Sequence, residues 1–181
     1  MSTGILLAAG AGRRFGGPKQ LARVDRRPLI EWALGALIDL DRVIVVLGAR
    51  ADEIRARADL GRAEVVICED WAEGMGASLR AGLAAAGARD EVVITLADQP
   101  FITAAVVARV RAAPGAATRA TFAGQPGHPV VLRPEWLAGA SALAGDRGFR
   151  GRLDGATEVE CGDLADPRDI DTQADLEVVR R

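Results

Sequence analysis

Apolar runs alternate along the chain with stretches whose apolar positions recur at helical spacing. Residues 4–9 read as a buried strand ending in glycines. Residues 28–40 read as a helix with Leu29, Ile30, Ala33, Leu34, Leu37 and Ile38 on one face. The same reading gives strands at 42–47, 64–68 and 91–96, a short charged helix at 52–59 and a helix of small residues at 76–86. Thr103 is a suitable N-cap for a helix through Arg111. Strands near 117–122 and 130–132, short helices at 134–143 and 148–153, a strand near 157–161 and a last helix from about Thr172 complete the chain. Continuous apolar strands separated by helices predict an α/β fold with a mostly parallel central sheet covered on both faces. Antiparallel additions are expected in the second half, where strands crowd together. No repeat or linker interrupts the pattern, so residues 1–181 are expected to form one domain. Ligands of such sheets collect at the carboxyl ends of the strands.

Composition narrows this picture. With 49% hydrophobic and 27% charged residues, the chain has the makings of a packed core and not of a disordered segment. Apolar runs fall short of the ~18 residues that cross a bilayer, so no membrane association is expected. A net charge of -2 argues against a dedicated nucleic-acid binder. The opening MSTGILLAAG lacks a basic n-region, and Cys68 and Cys161 stand far apart with no metal spacing. A cytoplasmic protein with two reduced thiols is the expectation. Of 23 basic residues only Lys19 is a lysine. Either codon usage spared it, or position 19 needs a compact ammonium on a flexible stem that arginine's planar fork cannot replace.

Lys19 closes the stretch LAAGAGRRFGGPKQL, residues 7–21, which follows the first strand. Gly10, Gly12, Gly16 and Gly17 permit tight turns with backbone N–H groups facing a ligand, and Arg13, Arg14 and Lys19 add positive charge, a combination suited to a polyphosphate. It is not a Walker A loop, because Pro18 separates the last glycine from the lysine and Gln20 follows. It is not a dinucleotide fingerprint either: Phe15 holds the third glycine position, and the second strand ends in Leu47 and Gly48 instead of an acid. At the end of the fourth strand, Asp98 in the run LADQP needs a partner, either a hard cation such as Mg²⁺ or the backbone of the turn it would cap. Near the C-terminus, DIDTQADL places Asp169 and Asp171 on one side of an extended segment and Asp175 in the first turn of the last helix.

The glycine stretch resembles the signature of the MobA-like NTP-transferases, nucleotidyltransferases with a Rossmann-like three-layer fold. The resemblance implies that Leu7, Ala8, Ala9, Gly10 and Gly12 wrap NTP phosphates, with Arg14 and Lys19 as cations, and that Arg13, at a variable position, is solvated. It implies that Asp98 and Asp171 hold Mg²⁺, and that Arg14, Lys19 and Asp98 carry catalysis. WAEGMGASL, residues 71–79, is similar to the WxxGMxxSL motif of the molybdenum cofactor cytidylyltransferase branch, which places Gly74, Met75 and Ser78 beside the nucleotide. From the residues alone, Met75 serves equally as a core methionine, and Trp71 is expected to pack instead of stacking on a base. Cys68-Glu69 stands where that branch carries Asn-Pro, and Gln173 replaces a proline, a change expected to touch only the helix start. His128, in GHP, and Asp146 and Arg150, in GDRGFR, fall on the acceptor motifs, although a lone histidine and a surface arginine also have structural readings.

The implied activity is transfer of CMP from CTP to the phosphate of molybdopterin, with pyrophosphate released and Mg²⁺ required. A molybdenum hydroxylase of the xanthine dehydrogenase type is the implied partner. Two alternatives stand beside it: an NTP transferase with another phosphorylated acceptor or with GTP, and a non-catalytic chaperone of the finished cofactor.

Overall fold

The computed structural model describes residues 1–87, 89–138 and 153–180. In chain order the strands are β1 (Ser2–Leu7), β2 (Arg23–Val24), β3 (Arg27–Pro28), β4 (Arg42–Leu47), β5 (Glu64–Ile67), β6 (Glu91–Leu96), β7 (Ala117–Phe122), β8 (Gln125–Leu132) and β9 (Thr157–Glu160). The helices are α1 (Leu29–Gly35), α2 (Ala51–Arg57), α3 (Met75–Ala86), α4 (Ala104–Ala112), α5 (Pro134–Ala138) and α6 (Gln173–Val179). Seven strands form one sheet in the order β5-β4-β1-β6-β8-β7-β9. The first four are mutually parallel, β8 runs against both β6 and β7, and β9 lies parallel to β7. This is the mostly parallel α/β sheet that the apolar pattern predicts, with its antiparallel member in the second half.

Side chains alternate across a strand, so each continuous apolar run feeds two cores. Leu6, Val43, Val45, Leu47 and Val93 face one side, where Ile30 and Ala33 of α1, Ile54 of α2 and Val106, Val107 and Val110 of α4 cover them. Ile5, Leu7, Ile44, Val46, Val92 and Ile94 face the other, under Ala77 and Leu79 of α3 and Leu137 of α5. Each fully buried Leu, Ile or Val contributes roughly 1.5–3 kcal/mol. A third, smaller cluster joins Phe15 of the glycine loop to Val24, Leu29, Ile170 and Leu176, and so fastens that loop to the C-terminal segment.

Several boundaries differ from the pattern. β1 starts and ends two residues early, although Ala8 still donates to the Val46 carbonyl at 2.9 Å. α1 stops at Gly35, after which the bonds tighten to three-residue steps (Leu37 N–H to Leu34 O, 3.0 Å). That winding keeps Leu37 and Leu40 in the core and turns Ile38 outward, 66% exposed. The β2–β3 ribbon has no glycine to announce it; its turn is made by Asp25 and Arg26 in the left-handed region (φ 48° and 67°). β8 begins five residues before the apolar run at 130–132. Thr103 precedes α4 without a side-chain cap bond.

Candidate active site

The carboxyl ends of β1 and β6 open onto a cavity of about 320 Å³. The chain leaving β1 turns sharply here: the Gly12 carbonyl accepts from the amides of Phe15 (3.0 Å), Gly16 (2.9 Å) and Gly17 (3.2 Å). Gly12 has φ +63°, and a Cβ there would stand 1.9 Å from the Gly17 oxygen, so no other residue closes this turn. Gln20, 2% exposed, reaches back under the loop, its Nε2 donating to Ala8 O at 2.7 Å and to Gly10 O at 2.8 Å.

The 3-10 turn Lys19–Leu21 aims Lys19 into the same cleft. Its Nζ lies 2.6 Å from Asp98 Oδ2 and 2.6 Å from Asp171 Oδ1, while Arg14 pairs with the second oxygen of Asp171 at 2.8 Å. Burial pulls the Lys19 ammonium down, but the charge of Asp98 and the hydrogen bonds to Asp171 and Asp98 outweigh it and hold the group above its ordinary 10.5. Asp98 Oδ1 is buried and meets no donor among the described residues.

Asp98 and Asp171 are 73 positions apart in sequence (171 minus 98), and specific bonds bring them together. Ile170, fully buried, donates its amide to the Asp98 carbonyl at 2.9 Å. Gln99 Nε2 donates to Asp169 Oδ1 at 2.9 Å and to Pro167 O at 3.3 Å. Asp175 forms a capping box with Thr172 at the start of α6 and also accepts from the Asp171 amide at 3.1 Å. The Thr172 hydroxyl and amide, with the Asp171 amide, hold the Asp175 carboxyl below its ordinary 3.8. Asp169 is exposed as a residue, yet burial of its carboxyl and the charge of Asp98 hold it above 3.8 despite the Gln99 bond.

Leu7, Ala8, Ala9, Gly10, Gly12, Lys19, Gly74, Met75, Ser78 and Asp98 all border the cavity. A polyphosphate fits such a cleft: a glycine turn and an ammonium on one side, carboxylates able to share a cation on the other. The MobA-like NTP transferase domain model matches residues 4–159. The chain belongs to that family. It is a nucleotidyltransferase with the family's α/β fold.

Among MobA-like relatives, the nicotine blue oxidoreductase of Paenarthrobacter nicotinovorans is 37% identical over 187 residues, covering 94% of this chain and 92% of that one. Rv0371c from Mycobacterium tuberculosis H37Rv superposes with a TM-score of 0.84 at 29% identity, covering 98% of this chain and 96% of the other. A structure of Rv0371c in complex with manganese gives a TM-score of 0.80 at 28% identity, over 98% and 97% of the two chains.

The remaining expected site residues fall differently. Arg14 does not border the cavity; it is largely solvated and spends its charge on Asp171. Arg13 is exposed, as expected, and also borders the cavity. His128 lies half-buried on β8, two residues before Val130, which pairs with Ile94 of β6, and it does not border the cavity. Asp146 and Arg150 lie outside the described residues. Trp71 both packs in the core and borders the cavity, and Gly48 makes room for it, since a Cβ at Gly48 would stand 2.5 Å from the Trp71 Cβ. Gln173 does more than start a helix: its Nε2 donates to the Phe15 carbonyl at 3.2 Å, across to the glycine loop. Gln20 and Gln99 stand inside the glycine stretch and the LADQP run, where the sequence pattern gives them no structural role. Their burial is the signal, and sequence alone does not display it. Both thiols are free and buried, and no helix among the described residues is long and apolar enough to cross a membrane.

Asp98 and Asp171 suit a divalent ion as oxygen donors, and the unsatisfied Asp98 Oδ1 is a lone pair waiting for a cation or donor. No group of three or more His, Cys, Asp or Glu among the described residues could hold a metal by itself. Further ligands would have to come from water and from the phosphates of a substrate.

Proposed function

We propose that the protein transfers CMP from CTP to the terminal phosphate of a molybdopterin-type acceptor. An acceptor phosphate oxygen attacks the α-phosphorus, the bond from that phosphorus to the bridging oxygen of the β-phosphate breaks, and pyrophosphate leaves. Two anions must approach, so the work is charge neutralisation and alignment. The observation that carries this reading is the meeting of Lys19, Asp98 and Asp171 at the mouth of a cavity bordered by the glycine loop and by Gly74, Met75 and Ser78. The loop amides and Lys19 hold the triphosphate, and the backbone from Gly74, with Met75 and Ser78, borders the base. Asp98 and Asp171 hold Mg²⁺, which when bound screens the phosphate charges from one another. No side chain need act as nucleophile or general base, because a phosphate monoester is already an anion at neutral pH. His128, Asp146 and Arg150 are the acceptor-side residues in this reading, and a molybdenum hydroxylase of the xanthine dehydrogenase type would receive the product. The cytidylyl assignment rests on the resemblance of residues 71–79 to that branch. The family position supports NTP use.

Calorimetry with CTP, GTP and ATP in Mg²⁺, followed by pyrophosphate release with molybdopterin, tests the proposal. CTP is expected to bind preferentially and to give pyrophosphate. Preference for GTP overturns the cytidylyl assignment, and binding of finished cofactor with no NTP binding points to a chaperone. Lys19→Ala and Asp98→Ala are each expected to lower turnover on the order of 10²–10³-fold, with circular dichroism unchanged.

One relative's name favours a second reading, a redox enzyme. The glycine loop does not carry the dinucleotide pattern, and Leu47-Gly48 stands where an acid would bind the ribose. Oxidation of NADPH with a conjugated acceptor, in the absence of any NTP, would establish that activity instead.

A further inference from the structure

The Lys19 ammonium occupies the position that a cation shared by Asp98 and Asp171 must occupy, 2.6 Å from an oxygen of each. All three side chains are a quarter exposed or less, at 16%, 22% and 25%. Without a cation between them, two poorly solvated carboxylates would repel strongly. An incoming divalent ion therefore meets a filled place and must expel a salt-bridged ammonium. Expulsion is costly when the ammonium has no other anion to go to. A polyphosphate in the glycine loop provides one, because Lys19 borders the same cavity and its stem is flexible. The protein also presents the ion with too few donors of its own: no three-residue acidic, His or Cys group is found among the described residues, and the one buried carboxylate oxygen left over is Asp98 Oδ1.

We propose that Lys19 is a place-holder cation. It occupies the shared position of Asp98 and Asp171 in the nucleotide-free protein and gives it up to a divalent metal only when a triphosphate draws the ammonium away. Metal and nucleotide then enter together, and metal alone binds poorly. The inference rests on Asp98 and Asp171 being the metal-holding pair. It assigns Lys19 two successive partners, the carboxylates first and the phosphates afterwards, and the exchange leaves each charge paired throughout.

The test is titration of Mn²⁺, alone and then with CTP or GTP, into the wild type, Lys19→Met, Asp98→Asn and Lys19→Met/Asp98→Asn, with free ion read by electron paramagnetic resonance. Lys19→Met, which keeps the stem and removes the charge, is expected to bind Mn²⁺ about tenfold or more tightly than the wild type, and Asp98→Asn to abolish the gain. The same substitution thus strengthens metal binding while it destroys turnover. If Lys19→Met binds no more tightly, while the wild type with CTP or GTP takes up Mn²⁺ in a manner that Asp98→Asn removes, the place-holder is overturned and the metal site stands. If no form shows uptake that depends on Asp98, the metal site falls and the place-holder with it. A second measurement needs no variant. Lys19 is the only lysine, so ¹⁵N-lysine labelling yields a single ammonium resonance. It is expected to stay in place with Mg²⁺ alone and to move when CTP or GTP is added with Mg²⁺; movement with Mg²⁺ alone overturns the proposal.

Discussion

Two irregular segments close the cleft, and a buried glutamine braces each of them in the same way. Gln20 gives both protons of its amide to the glycine loop, at Ala8 O and Gly10 O. Gln99 gives its Nε2 protons to the C-terminal arm, at Asp169 Oδ1 and Pro167 O. In both, the amide oxygen is buried and meets no donor among the described residues. The difference lies in reach and in charge. Gln20 bonds backbone carbonyls 12 and 10 residues away, whereas Gln99 spans 68 and 70 residues and one of its acceptors is a carboxylate. The loop has a neutral brace that comes from within its own stretch of chain. The arm is a borrowed one, tied to the end of β6 by Gln99 and Ile170, to α6 by Asp175 and to the loop by Arg14 and Gln173. A site assembled this way has one half that can be set early and one half that depends on distant partners.

The sharpest way to break the loop alone is Gly12→Ala. With a Cβ 1.9 Å from the Gly17 carbonyl and a positive φ, the turn must open. We expect a loss of stability of about 3–5 kcal/mol in denaturant melts and no detectable nucleotide binding by calorimetry. Gln20→Leu keeps the bulk but strands two carbonyls, so about 2–3 kcal/mol of stability should go, with nucleotide affinity falling even when metal is absent. Gln99→Leu should cost less, about 1–2 kcal/mol, because its partners lie nearer solvent. Its mark should be selective: metal-free nucleotide affinity close to that of the wild type, but weakened Asp171-dependent steps. Equal losses of metal-free affinity in the two variants would erase the distinction drawn between loop and arm.

Acid provides the gentlest discrimination. The Asp175 carboxyl is held below 3.8, so its contribution is complete above that value and disappears as the pH falls through its lower folded value. Hydrogen exchange should therefore show the Thr172 and Asp171 amides, which donate to Asp175, losing protection below about pH 3.8, while the Gly16 and Gly17 amides, bonded to a neutral carbonyl, keep theirs. Simultaneous loss in both segments would mean that the arm and the loop open as one unit.

The same contrast explains what could be read from the chain. β4, β6 and β7 fall at the residues the apolar runs predict, because a strand buried on both faces is written locally. The glycine loop was legible for the same reason, since its glycines, cations and preceding strand are contiguous. The resemblance implies that Asp98 and Asp171 share a metal ion, not that they meet on the Lys19 ammonium, and nothing in the local sequence around either residue encodes the Ile170–Asp98 backbone bond that brings them together. Gln99 and Gln173 illustrate the limit: each stands in a readable motif, and each acts on a segment 68 to 158 positions away. The β2–β3 turn escaped for a different reason, since Asp25 and Arg26 accept left-handed backbone without any glycine to signal it.

The sheet order has a consequence for synthesis. β1 lies between β4 and β6, and Lys19 is made 152 residues before Asp171. A growing chain therefore displays its first strand with both edges open, and holds a lone ammonium above it, until the later strands arrive to cover those edges. Asp171 joins Asp98 on the ammonium only when the Ile170 amide docks against the end of β6. A ribosome-bound intermediate that has made β6 would thus have every part of the phosphate grip but only Asp98 of its carboxylate pair, which makes arrival of the C-terminal arm the step that completes the cleft.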